Sequence, residues 1–136
     1  MLDRIDVQLE VPPVRARDLA PRSGSLLRDE TDAARARVLA ARARQGERAD
    51  WLGVAGVNAR LTPAELERAA PLERPTHALL AHAIETLHLS ARAYHRVWRL
   101  ARTLADLAGE EVVNQEAIAE ALTLWGIGAR AARRQS

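Results

Sequence analysis

The chain has no cysteine and no lysine, and no apolar run approaches the ~20 residues that a membrane-spanning helix needs. Without cysteine there are no disulfides and no thiolate chemistry, and oxidising secretion has no support. Without lysine, a phosphate loop of the form G-x-x-x-x-G-K-[ST] is impossible, and so is a Schiff-base enzyme. The start, Met1-Leu2-Asp3-Arg4-Ile5-Asp6, lacks the basic-then-apolar pattern of a secretory leader. These absences point to a cytoplasmic location and to no membrane partner.

What remains is a chain of one-domain size, 136 residues, with 48% hydrophobic and 28% charged residues. All 20 basic residues are arginine, set against 18 acids for a net charge of +2. The isoelectric point of 10.3 reflects the very high pKa of arginine more than a positive excess. Net charge therefore gives no argument for nucleic-acid binding, and only local arginine clusters can carry one.

Along the chain, Ile5, Val7, Leu9 and Val11 alternate with Asp6, Gln8 and Glu10, the period of a strand, and Pro12-Pro13 ends the run. A turn-rich loop follows through Pro21, Ser23, Gly24 and Ser25. From Asp29 onward the patterns are helical. The first helix spans about 29–48, with Asp29, Glu30 and Asp32 near its start and Arg42, Arg44 and Arg48 near its end. Residues 51–60, with Gly53 and Gly56, read as a connection. Thr62-Pro63-Ala64-Glu65 is a capping box with proline at the first helical position, and this short helix stops before Pro71.

Three further helices follow. One carries Leu79, Leu80, Ala83, Ile84 and Leu87 as an apolar stripe. The next is capped by Ser90, places Val97, Leu100, Ala101, Leu104, Leu107 and Ala108 inward, and ends at Gly109. The last is capped by Asn114, turns Ile118, Ala121, Leu122 and Trp125 inward, and closes at Gly126. The remaining tail is short and basic.

A single strand cannot satisfy its own hydrogen-bond ladder. Either its sheet lies in a larger protein, of which this chain begins just before the last strand of an α/β domain, or residues 1–12 form an unstructured arm.

Few residues offer chemistry. His77, His82, His88 and His95 are spaced five, six and seven apart, so none pairs at i, i+4 on a helix face, and no metal site is expected. Ser90 has no glycine-flanked elbow around it and serves as a helix cap. The arginines behind Ser90 are more informative. At 100° per residue, Arg92, Arg96 and Arg99 lie within about 60° of one another, flanked by Arg102 and Asp106. This is either a solvated face with an Arg102–Asp106 pair at i, i+4, or an anion site. In the second case Arg92, in the first turn, adds a guanidinium fork to outward-pointing backbone N–H groups.

Several segments together resemble one family. Leu2-Asp3-Arg4-Ile5-Asp6-Val7-Gln8-Leu9-Glu10-Val11-Pro12 resembles the entry into the final core strand of magnesium-chelatase-like AAA+ ATPases. Ala41-Arg42-Ala43-Arg44-Gln45-Gly46-Glu47-Arg48 and Asn58-Ala59-Arg60-Leu61 resemble the stretch that follows, and Leu89-Ser90-Ala91-Arg92 through Leu107 is the most specific part, continued by Glu120-Ala121-Leu122. The resemblance covers Leu2 to about Leu124 and points to the competence protein ComM/YifB family.

It implies a mainly α fold, a helical AAA+ C-terminal lid of about five helices, preceded by one strand belonging to a core that the chain lacks. Residues 1–12 would be the core remnant, 13–28 a linker, 29–125 the lid and 126–136 a flexible basic tail. Arg4 would be an arginine finger acting on a neighbouring subunit, and Arg92 a sensor-2-like contact to nucleotide phosphate. Walker A, Walker B and sensor 1 would lie upstream, so the chain alone is expected to be no enzyme and to hold ATP weakly. ATP and Mg2+ would bind the complete parent. Its partners would be the AAA+ core, the neighbouring subunits of a ring, and DNA that the motor remodels. The competing expectation is a free-standing helical module that binds nucleic acid or protein through Arg92, Arg96, Arg99 and Arg102.

Overall fold

The computed structural model describes residues 4–21 and 24–135, with side chains to residue 126. Five α-helices account for most of them: α1 (Gly24–Leu52), α2 (Pro63–Ala69), α3 (Arg74–Thr86), α4 (Ala91–Ala108) and α5 (Gln115–Gln135). Short 3-10 turns occupy Ala16–Leu19 and Asn58–Arg60. The mainly helical expectation stands.

The helix starts with the strongest local signals form where the sequence places them. Thr62 and Glu65 close a reciprocal capping box ahead of α2, each satisfying an end group of the other. Ser90 Oγ accepts from the Ala93 N–H at 3.2 Å and starts α4. Asn114 Oδ1 accepts from the Ala117 N–H at 2.9 Å and starts α5. Gly109 ends α4 at φ 78°, a left-handed conformation that costs glycine nothing.

Several boundaries differ from expectation. α1 begins at Gly24 rather than Asp29 and runs through Trp51 to Leu52, where Gly53 turns the chain at φ 66°. α5 does not close at Gly126 but continues to Gln135. Glycine lowers helix propensity without forbidding the helix. The strand expected over residues 5–11 does not form: residues 7–15 have no regular secondary structure, and no strand occurs among the described residues. The alternation is present, but a strand needs a neighbour to accept its ladder, and none is there.

α4 is the centre of the fold. α5 packs along it, the C-terminal half of α1 and the Asn58–Arg60 turn cover another side, and α2 closes one end; α3 reaches the core through α5. The core comprises Leu61, Leu66, Leu80, Val97, Trp98, Ala101, Val113, Ile118, Ala121 and Trp125, among others. Trp98 donates its indole N–H to the Ala70 carbonyl at 2.8 Å, so this buried ring has its polar atom satisfied.

Because α4 is covered on several sides, its buried face is not the leucine stripe. Ala93, Val97, Trp98, Ala101, Arg102, Ala105 and Asp106 are buried, whereas Leu100, Leu104 and Leu107 are half-buried and Ala108 is exposed.

α1 behaves differently along its length. Leu27, Thr31, Ala34, Val38, Ala41, Gln45, Arg48 and Leu52 recur at alternating spacings of four and three, forming one face. The second half of that face packs onto the body, with Ala41 and Gln45 buried. Residues 24–40 are exposed throughout and touch no hydrophobic core.

Candidate functional site

The arginines of α4 meet very different surroundings, although they share one helix. Arg92, in the first turn behind the Ser90 cap, is exposed, and its side chain has no hydrogen bond or ion pair among the described residues. Arg96, one turn on, is largely covered. Its Nε lies 2.6 Å from Asp6 Oδ1 and its Nη2 donates to the Arg4 carbonyl at 2.8 Å. Arg99 donates from Nε to the Leu61 carbonyl at 2.8 Å. Burial lowers the Arg99 pKa, Asp6 opposes that shift, and Arg96 adds to it.

Arg102 is the correction to the arginine face. It is 1% exposed, so it lies in the core and not beside Arg92, Arg96 and Arg99 on a surface open to a polyanion. Its Nη1 and Nη2 donate to the carbonyls of Glu111 and Glu110 at 2.8 and 2.7 Å, and Nη2 also pairs with Asp106 Oδ1 at 3.0 Å. The guanidinium thus holds the chain reversal after α4 in place. The i, i+4 pair expected on a solvated face exists, but inside the protein.

Asp106 is fully buried and collects three partners from three elements. Arg48 of α1 forms a two-pronged pair with it, Nη2 to Oδ1 at 2.5 Å and Nη1 to Oδ2 at 3.3 Å. Asn58 donates Nδ2 to Oδ2 at 2.8 Å. The same Nδ2 reaches Thr103 Oγ1 at 3.1 Å, and the Asn58 N–H donates to Gln45 Oε1 at 3.1 Å. The charges are paired and the carboxylate saturated, the condition under which a buried ion can persist. Burial chiefly lowers the Arg102 pKa, offset by Asp106, with Arg48 lowering it further.

Gln45, Arg48, Asn58, Thr103 and Asp106 all come from the segments that carry the family resemblance. These segments meet in one polar cluster, which joins α1, the Asn58–Arg60 turn and α4. The cluster is structural: Arg48, Asn58 and Arg102 all spend donors on Asp106 in the interior. Sequence reasoning overlooked it because Arg48 and Asp106 are 58 positions apart and each reads alone as a surface charge.

Arg4 is exposed, on the N-terminal segment that Arg96 holds against α4. A cleft of about 490 Å³ lies elsewhere, lined by Arg44, Arg48, Trp51, Arg68, Glu110 and Glu111 among others, and includes neither Arg4 nor Arg92. Arg48 is committed to Asp106 there, and Arg68 donates to the Leu52 carbonyl. No group of three His, Asp or Glu side chains suited to a metal ion occurs among the described residues. No helix among them is long and apolar enough to cross a membrane.

Residues 28–124 match the family model for the magnesium chelatase, subunit ChlI C-terminal, domain. The chain belongs to this family. It is 42% identical over 126 residues to the competence protein ComM of Haemophilus influenzae, covering 89% of this chain and 22% of that protein. It is 30% identical over 130 residues to the uncharacterized protein YifB of Escherichia coli K12, covering 93% of this chain and 24% of that one. The YifB protein of Salmonella typhimurium is likewise 30% identical, over 131 residues. The chain spans 22% to 24% of the length of these curated relatives. The likeness to ComM and YifB covers more of the chain than residues 28–124.

Proposed function

We propose that this chain is the helical lid of a ComM-like, magnesium-chelatase-related AAA+ ATPase, and that it completes an ATP site between subunits of a ring-forming motor that remodels DNA. Arg92 contacts nucleotide phosphate as a sensor-2 residue, and Arg4 reaches the γ-phosphate of a neighbouring subunit as an arginine finger. Residues 1–12 belong to the core, 13–28 link it to the lid with α1 already begun at Gly24, 29–125 form the lid, and the basic stretch 126–136 carries α5 on to Gln135. ATP and Mg2+ are held by the complete protein.

The observation that carries this reading is the state of the α4 arginines. Arg96, Arg99 and Arg102 are engaged, whereas Arg92 stands free at the one end of the helix where the macrodipole and unpaired N–H groups favour an anion. Permanent charge and a planar fork suit it to phosphate. The N-terminal segment adds support. Ile5, Val7, Leu9 and Val11 alternate with polar residues yet lie exposed, as expected of a strand whose sheet is in the core. A free-standing module using the whole arginine face has less support, because only one of its four arginines is free.

The test is Arg4→Ala and Arg92→Ala in the complete ATPase, meaning this lid with the core that it serves. Each variant should fold and assemble but lose turnover. A finger in GTPases contributes ~10³–10⁵, which sets the scale for Arg4. Wild-type ATPase rates in both variants would remove the assignment.

A further inference from the structure

The N-terminal segment bearing Arg4 and the helix bearing Arg92 are joined through one side chain. Arg96 sits a turn after Arg92 on α4. It grips the segment at two points, the Asp6 carboxylate at 2.6 Å through Nε and the Arg4 carbonyl at 2.8 Å through Nη2. One contact is an ion pair and the other a charged hydrogen bond to backbone, and both come from a planar guanidinium, so together they fix direction as well as distance. The contacts span 90 and 92 positions of sequence. Between them residues 7–15 have no ladder or helix to hold them.

We infer that Arg96 is a positioning residue that latches the Arg4 segment of the core to the Arg92 helix of the lid, so that the position of one arginine is tied to that of the other. The inference rests on the lid reading above and extends it. A lid rotation prompted by nucleotide at Arg92 would pull on the Arg4 segment through these two contacts, which couples one ATP site of a ring to the next through a single side chain. Asp6 is the matching half of the latch. Arg99 stands behind it, held to Leu61 and within electrostatic reach of Asp6.

Two experiments test this. The chain has no cysteine, so Glu10→Cys and Glu85→Cys, both at exposed positions, give a unique spin-label pair between the segment and α3. The distance distribution should be narrow with Arg96 and Asp6 in place, broad in Arg96→Glu, and intermediate in the charge swap Asp6→Arg with Arg96→Glu, which remakes only the ion pair. An unchanged distribution in Arg96→Glu would overturn the latch.

In the complete ATPase, Arg96→Glu should lower kcat by at least about tenfold with KM for ATP unchanged, since displacing a reacting group by ~1 Å costs up to ~10². The swap, which remakes the ion pair but not the bond to the Arg4 carbonyl, should recover part of the loss. A merely structural arginine would lower stability without a selective loss of kcat, so wild-type kcat in Arg96→Glu, or no recovery of kcat in the swap, refutes the positioning role. Arg4→Ala at wild-type rate, with the label distances behaving as expected, would instead refute the finger assignment and leave Arg96 a structural tether only.

Discussion

Replacing Asp106 with alanine should be the most damaging single change in the polar interior, and the structure allows the size of the effect to be worked out. The substitution removes a fully buried carboxylate that answers Arg48, Asn58 and Arg102. These three partners do not suffer equally. The Arg48 side chain is 16% exposed and can turn to water. Asn58 keeps Thr103 as an acceptor. Arg102 is 1% exposed and has no such exit, although it keeps the Glu110 and Glu111 carbonyls. The loss is therefore dominated by one charge left in the core without its counterion.

Breaking a buried ion pair from one side costs about 3–5 kcal/mol. The two retained carbonyl bonds place the expected value near the lower end, about 3 kcal/mol, which for a domain of this size is a fall in Tm of about 10 °C. Urea unfolding followed by far-ultraviolet circular dichroism reads it as a lower midpoint at constant slope. The same logic makes the double variant Asp106→Leu with Arg102→Met more stable than Asp106→Ala, because it removes the stranded charge along with its partner. A loss below about 1 kcal/mol in Asp106→Ala would refute the account, as would a double variant at the sum of its singles.

Three further outcomes follow from local features. The Glu65 carboxyl is held below the ordinary carboxylate range, chiefly by its hydrogen bonds to the Thr62 backbone and hydroxyl. Because its folded pKa is the lower one, the cap it makes is complete at neutral pH and is lost as pH falls through that folded value. Thr62→Ala should move the Glu65 pKa back up in an NMR titration; an unmoved titration curve would count against the capping box. Gly109→Ala meets both a left-handed φ of 78° and the Arg44 guanidinium 3.2 Å from the new Cβ. It should lower stability by about 1 kcal/mol in urea unfolding, whereas an Ala variant as stable as wild type would mean that the turn relaxes freely. In the isolated chain, amides of residues 26–38 should exchange far faster than those of 41–52, since a helix without packing is marginal in water. Equal protection in both halves would show that the exposed half of α1 is held by more than its own hydrogen bonds.

The sequence and the structure agree wherever a signal is local. Thr62-Pro63-Ala64-Glu65, Ser90, Gly109 and Asn114 each decide their helix end with partners no more than a few residues away, and each end forms where those residues stand. Disagreement begins where the decision is made at a distance. α1 runs through Gly46 and α5 through Gly126 because glycine weakens a helix without ending it; it ends one where the backbone turns left-handed, as at Gly53 and Gly109. The face of α4 is the sharper case. Hydrophobic periodicity assumes that charge marks solvent, so it turns Val97 and Ala101 into the core and Leu100 and Leu104 against it, as found, but places Arg102 and Asp106 outward. Arg48, 58 positions from Asp106, reverses that assignment by giving the carboxylate a partner that no window along α4 can contain.

The same contrast sets how the candidate site can be read. The presence of arginines behind Ser90 was legible, and so was the position of Arg92 in the first turn. The Arg102–Asp106 pair was legible too, though not its burial; that Arg96 and Arg99 are engaged was not, because their acceptors are the Arg4 and Leu61 carbonyls and Asp6, which lie nearby only in the fold. It is this removal of Arg96, Arg99 and Arg102 that isolates Arg92. A stripe of four free arginines would bind polyanions broadly, whereas one free arginine at a capped helix start, beside a segment latched by its neighbour, is suited to a single phosphate.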